Sequence, residues 1–246
     1  MLFENRISQV ERDICGVLTH LAHHVHPAIV EVVQERNRDE FDYFRDLFAD
    51  RVEVSHYLFD GSACVFPGVR RYTAGRGERQ SYNPDYAAII DDNAFPRHIW
   101  CYLESGKGYS GPLWRDSGLG EFELAHTFGH KTSEMEAEKQ FFSSMRPDLH
   151  PYGDFTCAGN VTLLPKGTVR PTDNSNAAKA VFYRRYIDLY GESPLNGRSG
   201  FSDTLVPVWY SDLVWNDPVL PDDWRSKVDD LLRYRTKRIT HLMRSI

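Results

Sequence analysis

The chain has 246 residues, a formal net charge of −6 at neutral pH, 41% hydrophobic residues and 13% aromatic residues. That length buries a substantial core as one large domain or two small ones without staples, and no run approaches the roughly 20 apolar residues of a membrane helix. The acidic balance excludes an indiscriminate nucleic-acid coat, because such binding draws mainly on phosphate neutralisation, but it leaves room for an enzyme with a local basic surface.

Residues 5 to about 48 read as helical. Ile7, Val10, Ile14, Val17, Leu18 and Leu21 recur at three- and four-residue spacing, Pro27 breaks the pattern, and it restarts through Ile29, Val32 and Val33, then Phe41, Phe44, Leu47 and Phe48. Arg51 to Phe59 alternates apolar and polar residues and predicts a strand. Gly61 to Pro84 is loop-like and rich in Gly and Arg. Ile99 to Leu103 predicts a short buried strand, Ser105 to Gly120 is turn-rich, and Phe122 to Thr127 predicts a strand. A helix is expected over Glu134 to Ser144, a strand over Asn160 to Leu164, then a proline-marked turn and a helix from about Ser175 to Tyr190, ended by Gly191. A last helix runs from Asp222 to about Met243. The expected organisation is α+β in three segments: a helical N-terminal region for recognition or dimerisation (1–92), a core (93–190) and a C-terminal helical extension (191–246).

Cys15, Cys64, Cys101 and Cys157 are scattered without a C-x-x-C pair, so neither a disulfide framework nor a zinc knuckle is indicated. The run from Met1 to Arg6 has no apolar signal core, and a reducing, cytoplasmic location is expected. His20, His23, His24 and His26 lack a cysteine or acidic partner at ligand spacing and read as interface or surface residues.

The chemistry concentrates further along. Glu121-Phe122-Glu123-Leu124-Ala125-His126 is an apolar strand ending in a histidine. Phe155-Thr156-Cys157-Ala158-Gly159-Asn160-Val161-Thr162-Leu163-Leu164-Pro165-Lys166-Gly167 follows, then Arg170-Pro171-Thr172-Asp173-Asn174. A histidine at a strand end suits a general base, since its ordinary pKa of ~6.5 lies near working pH. Phosphodiester hydrolysis needs such a base together with neutralisation of the charge that builds on phosphate and leaving oxygen.

These residues resemble the HNH, or ββα-metal, nuclease motif, and the Gly159-Asn160-x-x-Leu163-Leu164-Pro165-Lys166 run looks like that of HNH domains in bacterial restriction systems. The resemblance spans about residues 97 to 190. It implies a ββα-metal core and a Mg²⁺-dependent endonuclease, with Mn²⁺ as substitute, acting on double-stranded DNA. His126 would activate water, Asn160 would brace it, and Asn174 with Asp173 or Asn176 would hold the metal. Ala125 departs from the pattern, since many HNH enzymes carry a metal ligand there; Glu123 or Asp173 is the candidate carboxylate. Arg70, Arg71 and Arg76 on the Gly-rich loop, Lys131, and Lys179 one turn into the following helix are candidate DNA contacts. Cutting both strands with one site per chain favours a homodimer; no organic cofactor and no membrane is implied. A ribonuclease toxin, a phage or mobile-element nuclease, and an inactive DNA-binding protein on the same scaffold share the motif.

Overall fold

In the computed structural model, which describes residues 2–48, 62–71, 81–83, 88–91, 93–129, 132–145, 155–192 and 198–244, the N-terminal helical pattern divides at Pro27. Helix α1 (Leu2–Leu21) ends before it, and Pro27 opens α2 (Pro27–Asp39), where its missing N–H is not needed. The His26 Nδ1 accepts from the Ala28 N–H at 3.1 Å and caps the new helix. Helix α3 (Phe41–Phe48) follows, then β1 (Val69–Arg71), β2 (Ser81–Asn83), β3 (Ala88–Asp91), α4 (Ala94–Ser105) and α5 (Gly111–Asp116). The second half runs β4 (Phe122–His126), α6 (Thr132–Glu138), β5 (Phe142–Met145), β6 (Val161–Pro165), α7 (Arg170–Asn174), α8 (Asn176–Tyr190), β7 (Arg198–Phe201) and α9 (Trp224–Arg244).

The fold is α+β, as expected. Its strands form a mixed sheet β1-β3-β2 and two antiparallel pairs, β4-β6 and β5-β7. In the β4-β6 pair Phe122 lies opposite Pro165 and His126 opposite Val161. The other edge of β6 receives a single bridge from His23 at Leu163. Val161, Thr162, Leu163 and Leu164 are all buried, so β6 shows no alternation of buried and exposed residues.

Several expectations are corrected. Ile99 to Leu103 is not a strand but the middle of α4, in which every residue from His98 to Leu103 is buried. A helix covered on all sides loses its polar stripe, and a short apolar run then carries no period. The helix expected over Glu134 to Ser144 stops at Glu138, and β5 takes its second half. The Gly61 to Pro84 segment holds β1 and β2, and the C-terminal extension holds β7 besides its helix. The helical period of the N-terminal segment holds; within α1 Cys15 and Leu18, with Ala22 just past its end, are buried, while Ile7, Val10, Ile14 and Val17 are exposed. The strand expected over Arg51 to Phe59 lies outside the described residues. Among the described residues no helix is long and apolar enough to cross a membrane.

The largest core gathers Val25 to Phe48, Val65 and Ile89, Phe95 to Leu119, Phe155 to Leu163, and Val228 to Met243. All three sequence segments thus contribute to one interior. Within it Arg235 of α9 is wholly buried: it donates to Asn37 Oδ1 at 2.5 Å, Glu40 Oε2 at 2.8 Å and the Val65 carbonyl at 3.3 Å. An arginine at that depth is tolerated because its charge is paired and hydrogen-bonded.

Two interior histidines, His98 and the His24 expected at a surface or interface, make stability depend on acid. Burial lowers His24 to about 3, helped by the Arg185 and His23 charges. It lowers His98 to about 4, helped by Arg238. The unfolded chain binds these protons below about pH 6.5 and the native protein does not, so stability is full above that pH and falls as the pH drops toward 4. The unfolding constant should rise about tenfold per pH unit for each histidine across this window. Urea midpoints measured from pH 7 to pH 4 check this, and His24→Gln should flatten the slope whatever it does to absolute stability.

Candidate active site

Strand β4 delivers Leu124 and His126 to one face and Glu123 and Ala125 to the other, as strand alternation requires. His126 opens into a cleft of about 420 Å³ lined by Thr127, Glu134, Asp173, Lys179 and Tyr183, among others. The His126 ring stacks on Phe155 with centroids 5.5 Å apart. Its Nε2 lies 3.1 Å from the Phe155 carbonyl oxygen. A carbonyl only accepts, so Nε2 carries the hydrogen, and Nδ1 is the basic nitrogen of the neutral ring.

Asn160, which is 1% exposed, sits in a tight turn immediately before β6. Its Oδ1 accepts from the Phe128 N–H at 2.6 Å and its Nδ2 donates to the Phe128 carbonyl at 3.1 Å. Its own carbonyl accepts from the Thr127 N–H at 3.1 Å. Asn160 thus grips the backbone just beyond His126.

A second grip comes from residues with no sequence signal. Glu138 of α6 accepts from the Gly129 N–H through Oε1 and from Arg198 Nε through Oε2 at 2.6 Å. Arg198 of β7 donates in turn to the Gly129 carbonyl at 2.8 Å, and its guanidinium lies 5.1 Å over the Phe128 ring. The Tyr183 hydroxyl also bonds Glu138; burial, then that carboxylate, holds the phenol well above its ordinary range. A β-carbon at Gly129 would meet Glu134 Cβ at 2.3 Å, so only glycine fits this approach. The Thr127–Gly129 segment is held from both sides.

The other predicted residues divide. Asp173 and Lys179 line the cleft with His126. Asn174 does not: it is exposed, and its Nδ2 donates back to the Arg170 carbonyl at 2.9 Å. Asn176 is exposed beside Gln140 Nε2 at 3.4 Å. Glu123 is exposed, and its Oε2 accepts from the Gly167 N–H at 3.4 Å, on the strand face opposite His126. Arg70 and Arg71 belong to β1, in register with Ile90 and Asp91 rather than in a loop. Arg76 and Lys131 lie outside the described residues. Sequence reasoning missed Glu134, Glu138, Tyr183 and Asn93; Asn93 lines the cleft with a left-handed backbone at φ 84°, a conformation asparagine tolerates and few other side chains do.

Among the described residues no three His, Cys, Asp or Glu side chains converge closely enough to hold a metal by themselves. The cleft offers carboxylate oxygens and imidazole, and all four cysteines are buried elsewhere. That donor set fits a hard cation that keeps most of its water, and not a thiolate-bound zinc. Comparison with protein-family models, curated proteins and solved structures gave no match.

The Glu138–Arg198 pair is almost fully withdrawn from solvent, at 4% and 0% side-chain exposure. Removing one partner strands the other charge, which typically costs ~3–5 kcal/mol. Arg198→Met should therefore lower the melting temperature by about 10 °C, and Glu138→Leu added to it should recover part of the loss. A single variant melting within about 2 °C of the parent would remove the pair from any structural role.

Proposed function

We propose that the chain is a metal-dependent HNH-type endonuclease acting on double-stranded DNA, with β4, β6 and α8 as its ββα unit. The observation that carries this is the conjunction at His126. A histidine at a strand end has Nε2 fixed by a carbonyl, its following loop is locked by a buried asparagine in the turn that opens the paired strand, and it shares a cleft with Asp173 and Lys179. Of the predicted set, His126, Asn160, Asp173 and Lys179 fit one site. Asn174, Asn176 and Glu123 have side chains engaged elsewhere, and Asp173 takes the metal role first assigned to Asn174.

In this reading Nδ1 of His126 takes a proton from water as the water oxygen forms its bond to phosphorus. The bond from phosphorus to the leaving oxygen breaks in line, and that oxygen is protonated from solvent. Lys179 holds a phosphate oxygen by charge. The Phe155 carbonyl, by holding Nε2–H, stabilises the imidazolium that forms, and the double grip on Thr127–Gly129 keeps the ring aimed. Asp173 and Glu134 would hold a hard divalent cation such as Mg²⁺, which when bound supplies positive charge to the phosphate. A second copy of the chain would supply the cut on the opposite strand.

Plasmid incubated with the purified protein and Mg²⁺ or Mn²⁺ should be cut, with activity stopped by chelator and restored by metal without refolding. His126→Ala should lose ~10²–10⁴-fold in rate with folding and DNA binding retained. Asp173→Asn should raise the Mg²⁺ concentration for half-activity, whereas Asn174→Ala should not. Retention by His126→Ala of more than about a tenth of the parent rate would sink the assignment, and cleavage of RNA but not plasmid would reassign the substrate.

A further inference from the structure

Helix α1 carries an apolar stripe that its own fold leaves bare. Ile7, Val10, Ile14 and Val17 are 59, 54, 39 and 56% exposed, while Cys15, Leu18 and Ala22, about a quarter-turn round the helix, make the contact with the interior. The bare residues follow alternating steps of three and four, and Leu21 continues them. That is the 3.5-residue period of a helix built to pack against another helix along a seam. A helix merely resting on a globular surface needs one apolar face, and α1 has two. Val214, 65% exposed, lines the same groove as Val17 and Leu21 and widens the patch at its C-terminal end. Together these present roughly 400 Å² of apolar surface, comparable with the largest patch on a typical folded protein, which is often functional.

The charges beside the stripe select the occupant. Arg6 immediately precedes Ile7, and Glu11 immediately follows Val10; neither makes an ion pair among the described residues. In two parallel helices packed along this seam, a residue just before one layer faces the residue five further on in the partner. Arg6 then meets the partner's Glu11, and the symmetric pair forms as well. An antiparallel pairing instead sets Glu11 against the partner's Glu11 and Asp13 against the partner's Asp13. The stripe is thus complementary to itself in one orientation.

We infer that the exposed face of α1 is the docking surface for a second copy of this chain, packed parallel about a twofold axis along the helix. Ile7, Val10, Ile14 and Val17 then each meet their own counterpart. The seam gives a surface to the dimer proposed for double-strand cutting, but it does not depend on the chemistry at His126; a dimer without nuclease activity would leave it standing.

Sedimentation equilibrium of the full chain from about 1 to 100 µM should show a monomer–dimer equilibrium. Ile14→Glu and, separately, Val10→Lys should shift it to monomer throughout that range while circular dichroism and the melting curve stay native, since neither side chain belongs to the buried core. Arg6→Glu should weaken association severalfold and Arg6→Glu with Glu11→Arg should restore it. Ile14→Cys should form an oxidised dimer rapidly, because only the parallel register sets the two residues side by side; the native cysteines are buried. A parent chain that stays monomeric at 100 µM, a dimer indifferent to both Ile14→Glu and Val10→Lys, or an Ile14→Cys chain that fails to cross-link would each overturn the proposal.

Discussion

The carboxamide of Asn160 exchanges two hydrogen bonds with the backbone of Phe128, in a place where water does not reach. An asparagine buried without such partners would be costly, and a backbone N–H and carbonyl stranded beside it would be costlier still. The two strands β4 and β6 can therefore meet in only one way at their open end, with His126 directed into the cleft and the chain turned sharply after it. Placing the histidine, closing the sheet and shaping the cleft wall are consequences of that single exchange. The Glu138–Arg198 pair reinforces it from a distance: two charges too expensive to bury alone are made tolerable by each other and by the same short backbone segment they clasp. Phe128 lies between the two devices, stacked on Tyr183 at 4.8 Å and set edge-on to Tyr186 at 4.8 Å, so the polar grips are backed by aromatic packing.

How much of this was legible in the sequence follows from the range of the interactions. The strand before His126, the buried β6 and the capped helix after it are written in short windows: alternation, an apolar run, Ser175 as a cap and Gly191 as a stop. Asn160 is picked out as a brace through the resemblance of its run to HNH domains. Its actual partner, the Phe128 backbone and not the imidazole, depended on how the turn closes. Arg198 and Glu138 stand 60 residues apart, and no local pattern joins them. Asn174 and Asp173 are neighbours with equal claim to a metal by composition; only the helical phase of α7 sends one to the cleft and the other to its own helix backbone.

The misread strand of α4 and the bare stripe of α1 share a cause. Hydrophobic periodicity reports which face of a helix avoids water, but not what that face meets. In α4 all sides are covered, so the helical period vanished and the apolar centre passed for a strand. In α1 the stripe of strongest period is the one left in solvent, and the residues that contact the interior include a cysteine and an alanine that a hydropathy pattern weights lightly. A period alone does not distinguish the face a helix buries from a second apolar face left in solvent.

The Arg235 cluster has a consequence for how the chain matures. Asn37 and Glu40 lie 198 and 195 residues before their partner, and a ribosome adds roughly 5–20 residues each second. For about 10 to 40 s, therefore, the C-terminal end of α2 has been synthesised while the guanidinium that answers it has not been made. During that interval the apolar surface that α9 covers in the folded protein has no cover from it, and Asn37 and Glu40 are answered by water in place of its guanidinium. The last helix acts as a timer: the strands around His126 can pair early, but the body that supports them closes only once α9 has been synthesised.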